Sequence, residues 1–481
     1  MFDVAVIGAG PAGVLAALRA ADLGARTALI ARAGFGGMAE NDGPVPVRVL
    51  AHAARLMRDL RQLNQYGINV SDPILDYSLL LSKVNEIVSD VCSHSSLREQ
   101  LDALGVAIFE RAGLVRFVDE HTLAAEDGLQ LQANKIILCT GGVSRKLPIQ
   151  GFELTSTHSD AWALASVPKS MLVVGAGATG AQVASIFNAF GTRVHLFEAG
   201  PRILATEDED VSAAVAAAFR ASGIAVRENF GTIESFEKVP SGVRMNFNKD
   251  NRREDIEATL AVVAVGWVAN TESLNLSGAG IELDQRKFVK VNEYMQTSSP
   301  HVFAAGDITG QLMLVPQAIR GGFVAATNAV LGPSMPLGEN RGPTGSFTEP
   351  EYAQVGLTEA RAREGHEVIK AVVNFDSTTR TLIDGRKFGF CKLLADRQSS
   401  KILGCHVVGE RAVDITQVAA VAIAAGMRVD ALAQIPLAYP TYAAILVRAA
   451  IDASGKLGLE TGWRTQTAPI TVNSASATVS E

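Results

Sequence analysis

Two glycine clusters carry the first chemistry legible in this chain. GAGPAG (Gly8, Gly10, Gly13) follows the apolar run DVAVI, and GAGATG (Gly175, Gly177, Gly180) follows SMLVV. Each opens a segment with helical spacing. Glycines so placed between a strand and a helix allow a tight turn, let backbone amides close on a pyrophosphate and let the helix pack near the strand. The helix N-terminus adds partial positive charge. The chemistry is dinucleotide binding, written twice. An acid at the end of each unit's second strand would accept from ribose hydroxyls. Counting 23 residues from Gly175 reaches Glu198, whereas the same count from Gly8 reaches Ala31, followed by Arg32. The second site is expected to take NADH, because a 2′-phosphate would meet a carboxylate, and Arg202 keeps NADPH open. The first site must hold its adenosine in another way.

The elements that position these turns follow from periodicity. Strand, turn, helix and strand fill the first 32 residues, and the pattern returns over SMLVVGAGATGAQVASIFNAFGTRVHLFE. Residues 50–105 keep apolar positions three and four apart and predict helices. Short strands are expected over 106–140 and 224–270, and VFAAGDITG at 302–310 is another strand entering a glycine turn. FTEPEYAQVGL, KFGFCKLLAD and KILGCHVVGE read as strands, with helices at 412–427 and 441–453, and the Ser/Thr/Ala-rich end reads as a mobile tail. With 481 residues, 48% hydrophobic and 19% charged, the chain can bury a large core and is not disordered. A net charge of −7 argues against a nucleic-acid surface. No apolar run is long enough to span a membrane, and MFDVAVIGAG does not read as a leader. Cys92, Cys139, Cys391 and Cys405 form no CxxC, so neither a metal site nor a sequence-local redox pair is expected. The spacing leaves open a contact between Cys391 and Cys405 across neighbouring strands. A reducing, cytoplasmic setting is the expectation.

GAGPAG, CTGG at 139–142, GAGATG, AVGWVANT at 264–271 and AAGDITG at 304–310 stand in a recognisable order. The chain resembles the FAD-dependent pyridine nucleotide–disulfide oxidoreductases, the family of lipoamide dehydrogenase, glutathione reductase and mercuric reductase, over about residues 1–455. The resemblance implies an α/β fold: two Rossmann-like dinucleotide-binding domains plus a C-terminal α+β dimerisation domain. Residues 1–145 and 271–340 would form the FAD-binding domain, 146–270 the NAD(P)H-binding domain, 341–460 the dimerisation domain and 461–481 a flexible tail. FAD would sit at the first turn, with Arg32, Gly37, Thr140, Gly141, Gly306 and Asp307 beside it. Asp307 would accept from ribityl hydroxyls. NADH would sit at the second turn with Glu198 and Gly266. A homodimer with a composite active site is implied.

The departures from the family pattern concern its reactive centre. Where the family has GGxCxxxxCxPxK, this chain reads GGMAENDGPVPVR. Ala39 and Pro44 take the cysteine positions and Arg48 the Lys position. Neither residue forms a thiolate, so dithiol exchange through this segment is chemically excluded. The family's His-Pro-Thr motif and its Glu become Tyr439, Pro440, Thr441 and Ala444. A Lys–Glu pair becomes Arg48 and Gln182, and the aromatic gate over the nicotinamide becomes Ala178.

The expected function is an FAD-dependent NAD(P)H:acceptor oxidoreductase. Hydride would pass from NADH to flavin N5, then to a quinone-like or other small electrophile. Arg48 would stabilise reduced flavin or attract an acidic acceptor, unless it caps a helix or pairs with Asp42 or Glu40. Tyr439 of the partner subunit would hydrogen-bond the acceptor oxygen or simply pack its ring. His52, one helical turn beyond Arg48, would donate a proton or serve structure. A pyridine nucleotide transhydrogenase and a non-catalytic nucleotide-sensing or electron-transfer partner are the alternatives.

Overall fold

The computed structural model describes residues 1–94, 96–339 and 342–461; the tail expected from 461 falls, beyond Thr461 itself, outside them. The elements in chain order are β1 (Phe2–Ile7), α1 (Pro11–Asp22), β2 (Thr27–Ile30), α2 (Gly37–Asn41), α3 (Pro44–Leu60), α4 (Tyr77–His94), α5 (Leu97–Ala103), β3 (Ala107–Phe109), β4 (Val115–Phe117), β5 (Thr122–Ala125), β6 (Gln130–Leu138) and β7 (Gly142–Ser144). Next come α6 (His158–Trp162), β8 (Ser170–Val174), α7 (Ala178–Ala189), β9 (Arg193–Glu198), α8 (Glu209–Ala221), β10 (Ala225–Glu228), β11 (Thr232–Val239), β12 (Gly242–Lys249), β13 (Arg252–Ala258), β14 (Leu260–Val263), β15 (Trp267–Ala269), β16 (Val302–Ala304) and α9 (Val315–Leu331). The chain ends with β17 (Thr344–Ser346), β18 (Tyr352–Gly356), α10 (Glu359–Arg363), β19 (Val368–Asn374), α11 (Thr379–Ile383), β20 (Phe390–Asp396), β21 (Ile402–Val408), α12 (Ala412–Ala424), α13 (Val429–Ala433) and α14 (Ala444–Lys456).

Two compact units contain these elements: Met1–Thr206, Ala216–Asn340 and Phe347–Glu349 in one, the remainder in the other. The first unit holds two sheets built on parallel strands, the first of them mixed because β5 and β4 add to β6 in antiparallel fashion. One is ordered β3-β2-β1-β6-β5-β4, with β16 on the free side of β6's second half. Buried on both faces, its central strands read as unbroken apolar runs rather than alternating ones. The other is ordered β10-β9-β8-β14, with antiparallel β11-β12-β13 as a separate three-stranded layer. Each parallel sheet opens with the same turn. Gly8 (φ +108°) and Gly175 (φ +94°) adopt a backbone conformation that side chains avoid. Cβ atoms on Gly13 and Gly180 would stand 1.7 and 1.9 Å from the carbonyl oxygens of Gly8 and Gly175. The repeat seen in sequence is thus a repeat of backbone geometry.

The second unit is a five-stranded antiparallel sheet, β17-β18-β21-β20-β19, covered by α12 and α14. The helix expected over 441–453 starts at Ala444 instead, after a turn in which Thr441 Oγ1 donates to the Ala438 carbonyl. Cys391 and Cys405 do meet, with sulfurs 3.9 Å apart, as two buried free thiols.

Lys392 on β20 is 1% exposed. Its ammonium donates to Asp208, Asp210 and Glu359 at 2.8, 2.7 and 2.6 Å. Burial pushes the Glu359 carboxyl up, but hydrogen bonds from Lys392, Arg363 and Lys370 outweigh it and hold it at about 2. A carboxylate depressed in the folded state contributes stability at pH values above its ordinary 4.5. That contribution is lost as pH falls from there toward 2, so thermal melts should show the unit weakening across this window. Removing the cation strands buried carboxylates, and Lys392→Met should cost about 3–5 kcal/mol, read as a large drop in melting temperature at pH 7.

Candidate functional site

The first turn lies where β1, β6 and β16 end together. The Gly8 amide donates to the Ile30 carbonyl at 2.8 Å, Cys139 to Ile7 at 2.8 Å and Ala305 to Leu138 at 2.9 Å, so the ends of β2, β1, β6 and β16 are tied in register. α1 begins at Pro11 with Gly10 as its cap, no side chain accepting from its first turn and no acid in that turn. Amides in such a turn need a partner from outside the helix, and an anion is the natural one. Gly36 donates to the Ala9 carbonyl at 3.0 Å, which lays the Gly36–Gly37 loop on the turn. A Cβ on Gly37 would stand 2.8 Å from Gly10 Cα.

Asp307 follows β16. No protein donor among the described residues reaches its carboxylate, and burial pushes its pKa up. Its Cβ lies 3.5 Å from where a Cβ on Gly142 would be. CTGG and the Asn of GWVANT lock together: Thr140 donates to the Asn270 carbonyl at 2.7 Å, Asn270 Nδ2 returns to Thr140 at 3.2 Å, and the Asn270 amide donates to Gly141. A half-buried carboxyl lacking a donor, above an uncapped helix start, fits a phosphate-and-hydroxyl ligand such as FAD.

The second turn repeats the arrangement. α7 starts after Gly177, again without a side-chain cap or a first-turn acid. Glu198, at the end of β9, accepts from the Ala176 amide at 2.9 Å through Oε2 and from Gly200 at 2.8 Å through Oε1. These bonds fix its carboxylate beside the turn while each oxygen keeps a lone pair for a hydroxyl donor. Gly266 (φ +105°) lies at the end of β14's loop and accepts from the Arg145 amide.

The segment GGMAENDGPVPVR forms α2 and the start of α3. Pro44 is the first residue of α3. Arg48 and His52 share that helix as exposed residues one turn apart, and the Arg48 guanidinium carbon lies 3.4 Å from the centroid of the Phe347 ring. α3 packs on α7, where Arg58 donates to the Ser185 carbonyl at 2.6 Å. Gln182 donates to the Ala178 carbonyl within α7. Arg32 is exposed beyond β2. In the other unit Tyr439 is 77% exposed and donates to Thr379 Oγ1 at 3.0 Å.

Three contacts here had no sequence signal. Cys92 of α4 donates its thiol to Glu40 Oε2 at 3.4 Å, beside Ala39. Burial and the Glu40 carboxylate push that thiol up, away from the nucleophilic form. Ser159 donates to Asp42 Oδ2 at 2.5 Å, and His158 Nε2 lies 3.9 Å from the same oxygen. Burial holds the His158 imidazole below its usual value, against the pull of Asp42 and Asp160. Its ring stands edge-on to Trp267 at 5.0 Å. No group of metal-ligating side chains occurs, and no helix is long and apolar enough to cross a membrane, among the described residues.

Comparison with known proteins agrees with this fold. Residues 2–322 match the pyridine nucleotide-disulphide oxidoreductase family and residues 342–450 its dimerisation domain. A mercuric reductase of Lysinibacillus sphaericus is 30% identical over 456 residues, 94% of this chain and 82% of that protein. A dihydrolipoyl dehydrogenase of Zymomonas mobilis is 31% identical over 431 residues, covering 86% and 90%. The solved HOCl-induced flavoprotein disulfide reductase RclA of Escherichia coli superposes with a TM-score of 0.81 at 22% identity, over 92% of this chain and 98% of its own, which shows the shared fold. The chain belongs to the pyridine nucleotide-disulphide oxidoreductases, a family of FAD-dependent enzymes that use NAD(P)H.

The two turns make separable predictions. Gly177 has open space where a Cβ would go, whereas Gly180 has a carbonyl at 1.9 Å. Gly177→Ala should fold, with a melting temperature within a few degrees of the unaltered protein, and bind NADH at least ~10-fold more weakly because the methyl enters the pyrophosphate's path. Gly180→Ala should fail to fold or melt far lower. Calorimetry and NADH titration check both.

Proposed function

We propose that this protein is a flavin-dependent NAD(P)H:acceptor oxidoreductase that works without a redox-active disulfide and reduces a small, quinone-like acceptor. The observation that carries this reading is the pair Ala39 and Pro44 at the reactive positions, with both dinucleotide turns intact around them. A methyl group and a ring nitrogen that opens α3 offer no sulfur chemistry. Cys139 is buried and burial pushes its thiol to about 12, while Cys391 and Cys405 lie in the core of the other unit. Cys92 is a single thiol donating to Glu40.

Bound at the first turn, FAD would supply the redox chemistry, taking two electrons from the nicotinamide and passing them to the acceptor. The chain's own part is positioning. First-turn amides of α1 and α7 hold the two pyrophosphates. Asp307 accepts from sugar-like hydroxyls through its unpartnered carboxylate. Glu198 selects NADH by accepting from ribose hydroxyls where a 2′-phosphate would be repelled. The Arg48 guanidinium, stacked on Phe347, supplies a fixed positive charge beside the vacated cysteine positions. His52 presents an exposed imidazole for proton transfer to the acceptor, and Tyr439 an exposed hydroxyl for hydrogen bonding to it. The dimerisation-domain match supports a homodimer, in which Tyr439 of the partner subunit would lie near the acceptor, and four free cysteines suit a reducing cytoplasm.

NADH should bleach the bound flavin under anaerobic conditions, and a quinone should restore its colour at the same rate after thiol alkylation and in Cys92→Ser. A rate that collapses with either treatment would return the chemistry to sulfur. Glu198→Ala should narrow the NADH-over-NADPH preference at least ~10-fold, read as the ratio of kcat/KM values.

A further inference from the structure

The residue that follows β2 has a side chain that cannot accept a hydrogen bond. Ala31 is a methyl, 1% exposed, at the place where a dinucleotide-binding strand ordinarily carries the acid for the adenosine ribose. One strand over stands a carboxylate. β3 runs parallel to β2 with Ile30 opposite Phe109. The Ala31 amide donates to the Phe109 carbonyl at 2.8 Å and the Arg111 amide to Ala33 at 2.9 Å. Glu110 therefore leaves the sheet from the same edge as residue 31, displaced by one strand spacing of about 4.8 Å, within the reach of its longer side chain.

Glu110 also faces the right space. A cavity of about 290 Å³ is lined by Gly10 and Pro11 of the first turn together with Phe35, Leu97, Arg98 and Glu110. Arg98 donates to Glu110 Oε1 through Nη1, and its guanidinium carbon lies 5.2 Å from the Phe35 ring centroid. One cation thus orients the carboxylate and covers an aromatic face. Glu110 Oε2 meets no protein donor among the described residues. The cavity's other carboxylate, Glu40, is engaged by the Cys92 thiol and folded over Gly36.

We propose that the ribose acid of the first site has moved from β2 to β3. Glu110, oriented by Arg98, accepts from the hydroxyls of the adenosine ribose, and the purine lies against Phe35 and Leu97. The inference rests on the reading of the first turn as the FAD site.

The test uses full-length protein stripped of flavin. FAD affinity is measured by quenching of flavin fluorescence, fold by the melting temperature of the flavin-free protein, and the adenosine half by competition with ADP. Glu110→Gln should weaken FAD binding about tenfold, the loss of one charged hydrogen bond, and Glu110→Ala at least as much. Flavin-free melting temperatures should not change. ADP should displace FAD from the unaltered protein and compete poorly in Glu110→Ala. Unchanged FAD affinity in both variants overturns the inference while leaving the first-turn reading intact. Failure of ADP to compete in the unaltered protein overturns it too. So does a weakening that tracks a lower flavin-free melting temperature, since Glu110 would then only hold the fold. Unaltered protein that takes up no FAD contradicts the first-turn reading itself.

Discussion

Two helices in this protein begin with amide groups that no side chain satisfies, and each begins where a parallel strand ends. An unpaired backbone donor is costly unless something outside the helix accepts from it. The sequence keeps the deficit in place: glycine caps without side chains, no acid in either first turn, and a third glycine whose missing Cβ brings helix and strand together. A bound pyrophosphate would fill the deficit. The sheet order, the Thr140–Asn270 clasp and Asp307 all gather around that requirement.

The segment GGMAENDGPVPVR carries no sulfur at the positions it presents beside the first turn. α2 and α3 still run past the first turn, but their side chains now make packing and polar contacts: Glu40 with Cys92, Asp42 with Ser159 and His158, Arg48 with Phe347. This segment thus carries carboxylates, and an aromatic ring is among the groups that its side chains meet.

The fold was legible in the sequence because its signals are local. A strand, a glycine triplet and a helix occupy thirty or so consecutive residues, and Glu198 is found by counting along one supersecondary unit. The position of Asp307, at the end of an apolar run, was legible for the same reason. What stayed hidden depends on residues distant in the chain. Asp42 and Ser159 are 117 positions apart, and Lys392 meets Asp208 across 184; no periodicity connects them. Glu110 falls between these cases. Its counterpart's absence at Ala31 was visible, but its candidacy needed the pairing of β2 with β3, which only the folded sheet supplies.

The central claim is that electrons cross this protein through a flavin and no thiol pair. Counting electrons tests it most directly. In an anaerobic reductive titration with dithionite, a lone flavin takes up about two electrons, whereas a flavin beside a disulfide takes up about four, since the disulfide is itself a two-electron couple. The account predicts full reduction at two electrons per bound FAD, with no new thiol appearing in the denatured product. Uptake of four, with two additional titratable thiols, would contradict it.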